Sequence, residues 1–131
     1  MENEMHDPHA EEARERWGHT EAYKESARRT KQYTPEDWAK IKAEAEAVEA
    51  GLAALLRAGE PAEGVKAMEL AEQARLHIDR WFYPCPHRMH VGLADMYTAD
   101  PRFTAHYDER EPGLAAFVAA AIRANAARAG A

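Results

Sequence analysis

The chain has 131 residues, a formal net charge of -6 and a single cysteine, which suits one domain with one core and leaves too little for two. An acidic chain with no face of gathered Lys and Arg is not built to bind a phosphate backbone, a lone cysteine forms no internal disulfide, and no apolar run approaches membrane-spanning length. "MENEMHDPHAEEARERW" has neither a basic start nor an apolar core of signal-peptide length, so a cytoplasmic location is expected.

Residues 1–8 are expected to be disordered. Residues 9–33 are helix-compatible but poor in aliphatics, their large apolar groups being Trp17, Tyr23 and Tyr33. One or two helices with so little to bury are weakly held, and they read as a mobile lid that orders against a ligand or partner. The densest basic cluster, Arg28, Arg29 and Lys31, lies beside Glu21 and Glu25 and reads as a solvated helix surface.

The compact core is placed at residues 34–128. Thr34 as N-cap, Pro35 at the first helical position and Asp37 completing a capping box predict a helix over about 35–58. Trp38, Ile41, Ala45, Val48, Leu52 and Leu55 then recur at three and four spacing until Gly59 stops the helix. After "GEPAEG" a second long helix runs from about Ala62 to Phe82, with Val65, Met68, Ala71, Ile78 and Phe82 assigned to one side, and Pro84 ends it. Pro86 and His87 start the next, in which Met89, Leu93 and Met96 form the apolar edge and His90 and Tyr97 lie beside it. Asp100 and Pro101 open a short helix, and a last one is expected from about Pro112 to Ala127, with Leu114, Phe117, Val118, Ala121 and Ile122 inward. No hairpin signal and no sustained period of two appears, so the fold class is all-α.

"DRWFYPCPHRMH", residues 79–90, concentrates the chemistry. Cys85, His87 and His90 suit zinc by residue type, with a fourth ligand to come from His77, His106 or a carboxylate, but the spacing matches no established signature. A catalytic thiol at Cys85 needs a base and an oxyanion-stabilising element; the second is missing, and a small buried apolar side chain is the simpler reading. His77 and His90 are the candidates for axial haem ligands, yet a histidine on a partly apolar helix face is more often structural. No metal, cofactor or catalytic residue is assigned. Three adjacent aromatics cannot all point inward from one helix end, so Phe82 is given to the core and Trp81 and Tyr83 to a cleft.

The segments "RWGHTEAYKES", "YTPEDW", "AGEPAEG", "AMELAE" and "FYPCPHRMHVGLADMYTADPRFTAHYDEREPGLAAFVAAAIRANA", in this order and spacing, resemble the TipAS antibiotic-recognition domain, the drug-binding C-terminal part of some MerR-type transcription activators. The resemblance runs from about Glu12 to Ala127. It implies a globin-like helical fold without haem that binds bulky hydrophobic antibiotics such as thiopeptides or, in relatives, albicidin-type molecules, with N-terminal helices that close over the ligand. The family prototype traps thiopeptides through a cysteine that attacks a dehydroalanine. "MHVGLADMY" places Gly92 at that cysteine's position, Cys85 matches a different upstream cysteine, and Ala74 stands where a histidine is expected.

The resulting expectation is non-enzymatic, non-covalent binding by a monomer. Trp17, Tyr23 and Trp81 would stack on the drug, Tyr83, His87 and His90 would supply hydrogen bonds, and Cys85 would line the wall. Gly92 marks the missing thiol, and Asp95 and Tyr97 contribute from the next turn, Asp95 being equally readable as a solvent-facing acid. No helix-turn-helix precedes the domain in this sequence, so it reads as a sequestering resistance protein or as the effector domain of a regulator, without DNA contact of its own.

Overall fold

The computed structural model describes residues 20–131. The expected disorder of residues 1–8, the first part of the lid and Trp17 lie outside the described residues. Within them the protein is six helices and no strand: α1 (Glu21–Thr30), α2 (Pro35–Arg57), α3 (Val65–Trp81), α4 (His87–Ala99), α5 (Pro101–Asp108) and α6 (Leu114–Arg128).

Local chemistry sets the ends. Thr34 Oγ1 accepts from the Asp37 amide at 3.1 Å, and the Asp37 carboxylate accepts from the Thr34 amide at 3.0 Å, so both halves of the capping box form. At the other end of α2, Gly59 takes φ +79°. The Glu60 amide then reaches the Leu55 carbonyl and the Gly59 amide reaches that of Leu56, satisfying two orphan acceptors. The last helix starts at Leu114 rather than Pro112, because Gly113 at φ +88° turns the chain and Asp108 Oδ1 caps the Ala115 amide at 3.0 Å from the preceding helix.

α6 is the central element: nine of its fifteen residues are buried, and it packs on α2, α3, α4 and α5. Its Leu114, Phe117, Val118, Ala121 and Ile122 join Leu52, Ala53, Ala67, Ala71 and Ala94 in one core. The small residues on α3 and α4 let these helices approach α6 closely. Val65 departs from the sequence reading. It is 60% exposed, and Ala67 takes its place on the buried line, since Ala67, Ala71, Ala74, Ile78 and Trp81 share one face of α3. On α4 the inward residues are likewise His90 and Ala94, while Met89, Leu93 and Met96 are half-buried.

α1 packs on the C-terminal end of α3. Arg29 Nη1 donates to the carbonyls of Asp79 at 2.8 Å and Arg80 at 3.3 Å, and the Tyr33 hydroxyl donates to that of Trp81. Three orphan acceptors of α3 are met in this way, with a cation at the negative end of its dipole. Arg29 is therefore more than a solvated surface charge, although it also pairs with Glu25 at 2.6 Å.

Candidate functional site

Three groups of side chains lie around the C-terminal part of α3. The first is aromatic. Tyr33 stands edge-on to Trp38 (centroids 5.8 Å) and to Trp81 (5.5 Å), and Phe82 continues the row to Trp38 and His77. Trp81 is 9% exposed, and its indole N–H donates to Glu44 Oε1 at 2.8 Å. The expectation that Trp81 lines an open cleft meets a different placement. It continues the buried face of α3, and Phe82, one residue round the helix, is the half-buried one. Tyr23 is half-buried on α1, where its amide is capped by Thr20.

The second group holds the loop between α3 and α4. Asp79 Oδ1 accepts from the Cys85 amide at 2.8 Å, and Arg75 Nη1 donates to the Cys85 carbonyl at 2.9 Å. Glu72 in turn holds Arg75 through Nε and Nη2 and accepts from Asn125 Nδ2 at 2.8 Å. The Arg75 guanidinium, aided by Asn125, holds the Glu72 carboxyl down at about 2. His87 approaches Glu72 at 3.9 Å. Cys85 has no exposed surface, and burial pushes its thiol up to about 11, so it is not a nucleophile at neutral pH. Burial also raises the Tyr83 hydroxyl. Among the described residues no three His, Cys, Asp or Glu side chains group to hold a metal ion.

The third group surrounds a partly open cavity of about 170 Å³ between α2, α3, α4, α5 and α6. Leu52, Ala74, Val118 and Ile122 give it apolar walls, and His77, His90, Tyr97 and Tyr107 give it polar ones. Tyr97 and Tyr107 pack at a tilt of 56° with centroids at 5.1 Å; burial pushes the Tyr97 hydroxyl up to about 12 and raises Tyr107 as well. His90 is 1% exposed and its Nδ1 has no hydrogen-bond partner, a situation that costs about 1–3 kcal/mol when left uncompensated. Burial, reinforced by the Arg75 charge, pushes the ring down to about 4, so it is neutral. The two histidines weighed as haem ligands thus face one space, but cofactor and drug sites run to roughly 300–1,000 Å³ and this one is smaller.

The expected site residues therefore separate. His90 and Tyr97 border the cavity, while Tyr83 and Cys85 belong to the loop and His87 opens α4. Gly92 and Asp95 are exposed on the outer face of α4; a Cβ at Gly92 would meet nothing within 4 Å, and Asp95 pairs with Arg123 at 2.8 Å. Glu72, Arg75, Asn125 and Tyr107 were missed from sequence. Asn125 carried a signal, since Val118, Ile122 and Asn125 repeat at four and three along one face of α6.

Residues 9–125 match the family model for the TipAS antibiotic-recognition domain. The chain belongs to the TipAS family. It is 48% identical over 122 residues to the HTH-type transcriptional activator TipA of Streptomyces coelicolor, covering 93% of this chain and 48% of that protein. To the HTH-type transcriptional activator mta of Bacillus subtilis it is 33% identical, over 87% of this chain and 43% of that one. It thus spans about half the length of the curated relatives it matches. The structure superposes on TipAS of Streptomyces lividans, solved with nosiheptide as part of a thiopeptide antibiotic multidrug resistance system, with a TM-score of 0.88 at 46% identity, covering 96% of this chain and 90% of that one. The antibiotic-binding domain of a TipA-class multidrug resistance transcriptional regulator matches with a TM-score of 0.64 at 44% identity, over 70% and 97% of the two chains. The all-α TipAS architecture expected from sequence is the architecture found.

Proposed function

We propose that this domain binds a bulky, largely apolar antibiotic of the thiopeptide class, non-covalently and without turning it over. The observation that carries the reading is the match to TipAS solved with nosiheptide, over nearly the whole of both chains. The central cavity, at about 170 Å³, is too small for such a molecule, so the drug is assigned to the surface running from α1 across the 82–86 loop to the exposed face of α4. Tyr23, Tyr83 and His87 offer contacts there, and Gly92 and Asp95 lie at its far side. Trp81 and Cys85 form the backing of that wall, Trp81 acting through Tyr33. An albicidin-like molecule is the alternative ligand class.

Non-covalent capture follows from the two positions at which a thiol would matter. Gly92 has none, and the thiol of Cys85 is enclosed and protonated. The chain acts as a cytoplasmic monomer, and among the described residues no helix is long and apolar enough to cross a membrane.

Two uses of such binding fit the relatives. The match to a structure from a multidrug resistance system suits sequestration of the drug. The match to HTH-type activators, of which this chain covers less than half, suits the effector-sensing part of a regulator. A thermal-shift and tryptophan-fluorescence screen over thiopeptides and albicidin-like compounds tests the binding itself. A stabilising shift that saturates at one equivalent is expected with at least one thiopeptide. No shift with any compound, or chemically altered drug beyond one equivalent, overturns the reading.

A further inference from the structure

The backbone of the loop between α3 and α4 is held from α3. The Phe82 and Tyr83 amides both return to the Ile78 carbonyl, at 2.9 and 3.2 Å, and Pro84 and Pro86 have no amide proton to offer. Cys85 is left with the only free amide between Tyr83 and His87. Both polar groups of its backbone are met by side chains of α3, Asp79 Oδ1 accepting from the amide at 2.8 Å and Arg75 Nη1 donating to the carbonyl at 2.9 Å. Arg75 and Asp79 are four residues apart and so share one helix face. They offer a single residue one acceptor and one donor, as a paired strand would. Tyr83 and Cys85 each precede a proline, which confines them to extended backbone, so gripping Cys85 leaves the loop few ways to move. Glu72 fixes Arg75 in turn through Nε and Nη2.

We infer that Arg75 and Asp79 are positioning residues for the antibiotic: by gripping Cys85 they hold Tyr83 and His87, on either side of it, in the geometry the ligand meets. This rests on the reading of the domain as an antibiotic binder and adds to it two residues that set affinity without touching the drug. Neither belongs to the hydrophobic core, where α3 is represented by Ala67 and Ala71, so the clamp orders the loop and leaves the packing of α3 to others. Tyr83 is half-buried, and burial keeps its hydroxyl protonated and able to donate; His87 is the first residue of α4. A loop ordered before the ligand arrives loses little freedom on binding. An unclamped one binds only for the fraction of time it spends in the competent form.

The test is calorimetric titration of the full chain and its variants with nosiheptide, beside amide exchange of the free proteins. Asp79→Ala and Arg75→Met are expected to bind about tenfold more weakly, as a loop does that keeps its clamped form about a tenth of the time. Asp79→Asn retains an acceptor oxygen and is expected to restore affinity to within about twofold of the parent. The Cys85 amide should exchange faster in Asp79→Ala than in the parent or in Asp79→Asn, with α6 amides unchanged. Ala53→Gly, a core change within α2, separates positioning from stability: it should lower the urea midpoint and keep the parental affinity. If Arg75→Met does not fold, Arg75→Lys replaces it with the same expectation, since it keeps the charge and loses the planar fork. Parental affinity in the Arg75 and Asp79→Ala variants, an equal loss in Asp79→Asn, or an equal loss in Ala53→Gly would overturn the assignment while the antibiotic reading stands. A parent that binds no nosiheptide would remove the ligand and the assignment together.

Discussion

Asn125 and Glu72, 53 residues apart in sequence, meet through a 2.8 Å hydrogen bond from the Asn125 amide to Glu72 Oε1. Arg128 Nε donates to Asn125 Oδ1 at 2.9 Å from the next turn, and Glu72 passes the connection to Arg75 and so to the Cys85 carbonyl. One buried amide thereby ties the central helix to the loop that carries the most chemistry-rich stretch of the sequence.

Asn125→Leu keeps the volume and removes the bond. A hydrogen bond to a charged group is worth about 1.5–3 kcal/mol, so the variant should lose about 2 kcal/mol in urea unfolding, with an unchanged m-value. Equal stability would mean that the network contributes orientation only.

Acid sensitivity should fall into two windows. The folded state holds His90 at about 4 against an ordinary 6.5, so the unfolded chain binds that proton first as pH falls. The stability tied to His90 is complete above 6.5, declines through the window and is gone by about 4, at most about 3 kcal/mol. Glu72, held at about 2 against an ordinary 4.5, contributes above 4.5 and loses its contribution as pH drops toward 2. Urea midpoints followed from neutral to acid pH should show both declines in the parent; His90→Phe should flatten the upper one alone. A variant whose upper decline matched the parent's would assign it to another group.

Of these features, those that depend on neighbours in sequence were legible. The capping box at Thr34, the stop at Gly59 and the Asp100–Pro101 start rest on residues within a turn of each other, and helix periodicity located the core face of α6. What depends on long-range partners was not. Trp81 and Phe82 are adjacent, and only the packing of α3 decides which one is buried. Arg29 looked like surface because its acceptors, the carbonyls of Asp79 and Arg80, lie 50 and 51 residues further along the chain. The cavity could not be read at all: its walls come from five helices, and no spacing within one of them encodes a gap between them.

The grip of α1 on α3 predicts a local opening. Arg29 and Tyr33 supply the long-range hydrogen bonds that hold α1 to the end of α3, and α1 has no fully buried residue. Arg29→Ala should therefore speed amide exchange across Glu21–Thr30 by about tenfold or more, the equivalent of about 1.4 kcal/mol, while α6 amides exchange as in the parent. Uniform acceleration in all helices would instead indicate global destabilisation.

The absent thiol on α4 allows a gain-of-function test of where the antibiotic lies. Gly92 is exposed in mid-helix and a side chain there meets nothing within 4 Å, so Gly92→Cys should fold at least as stably as the parent, a glycine in a helix being unfavourable relative to other residues. Its thiol is in solvent, unlike that of Cys85. If a thiopeptide is held across α1 and the outer face of α4, the new sulfur adds to a dehydroalanine of the drug: the S–C bond forms at the β-carbon of the alkene, and the thiol proton ends on the α-carbon. Intact mass should then show one drug per chain in the variant and none in the parent. A maleimide control labels the variant thiol and establishes its access. Drug binding without adduct in the maleimide-reactive variant would move the antibiotic away from α4, and an adduct in the parent that is lost in Cys85→Ala would show that the enclosed thiol opens to the ligand.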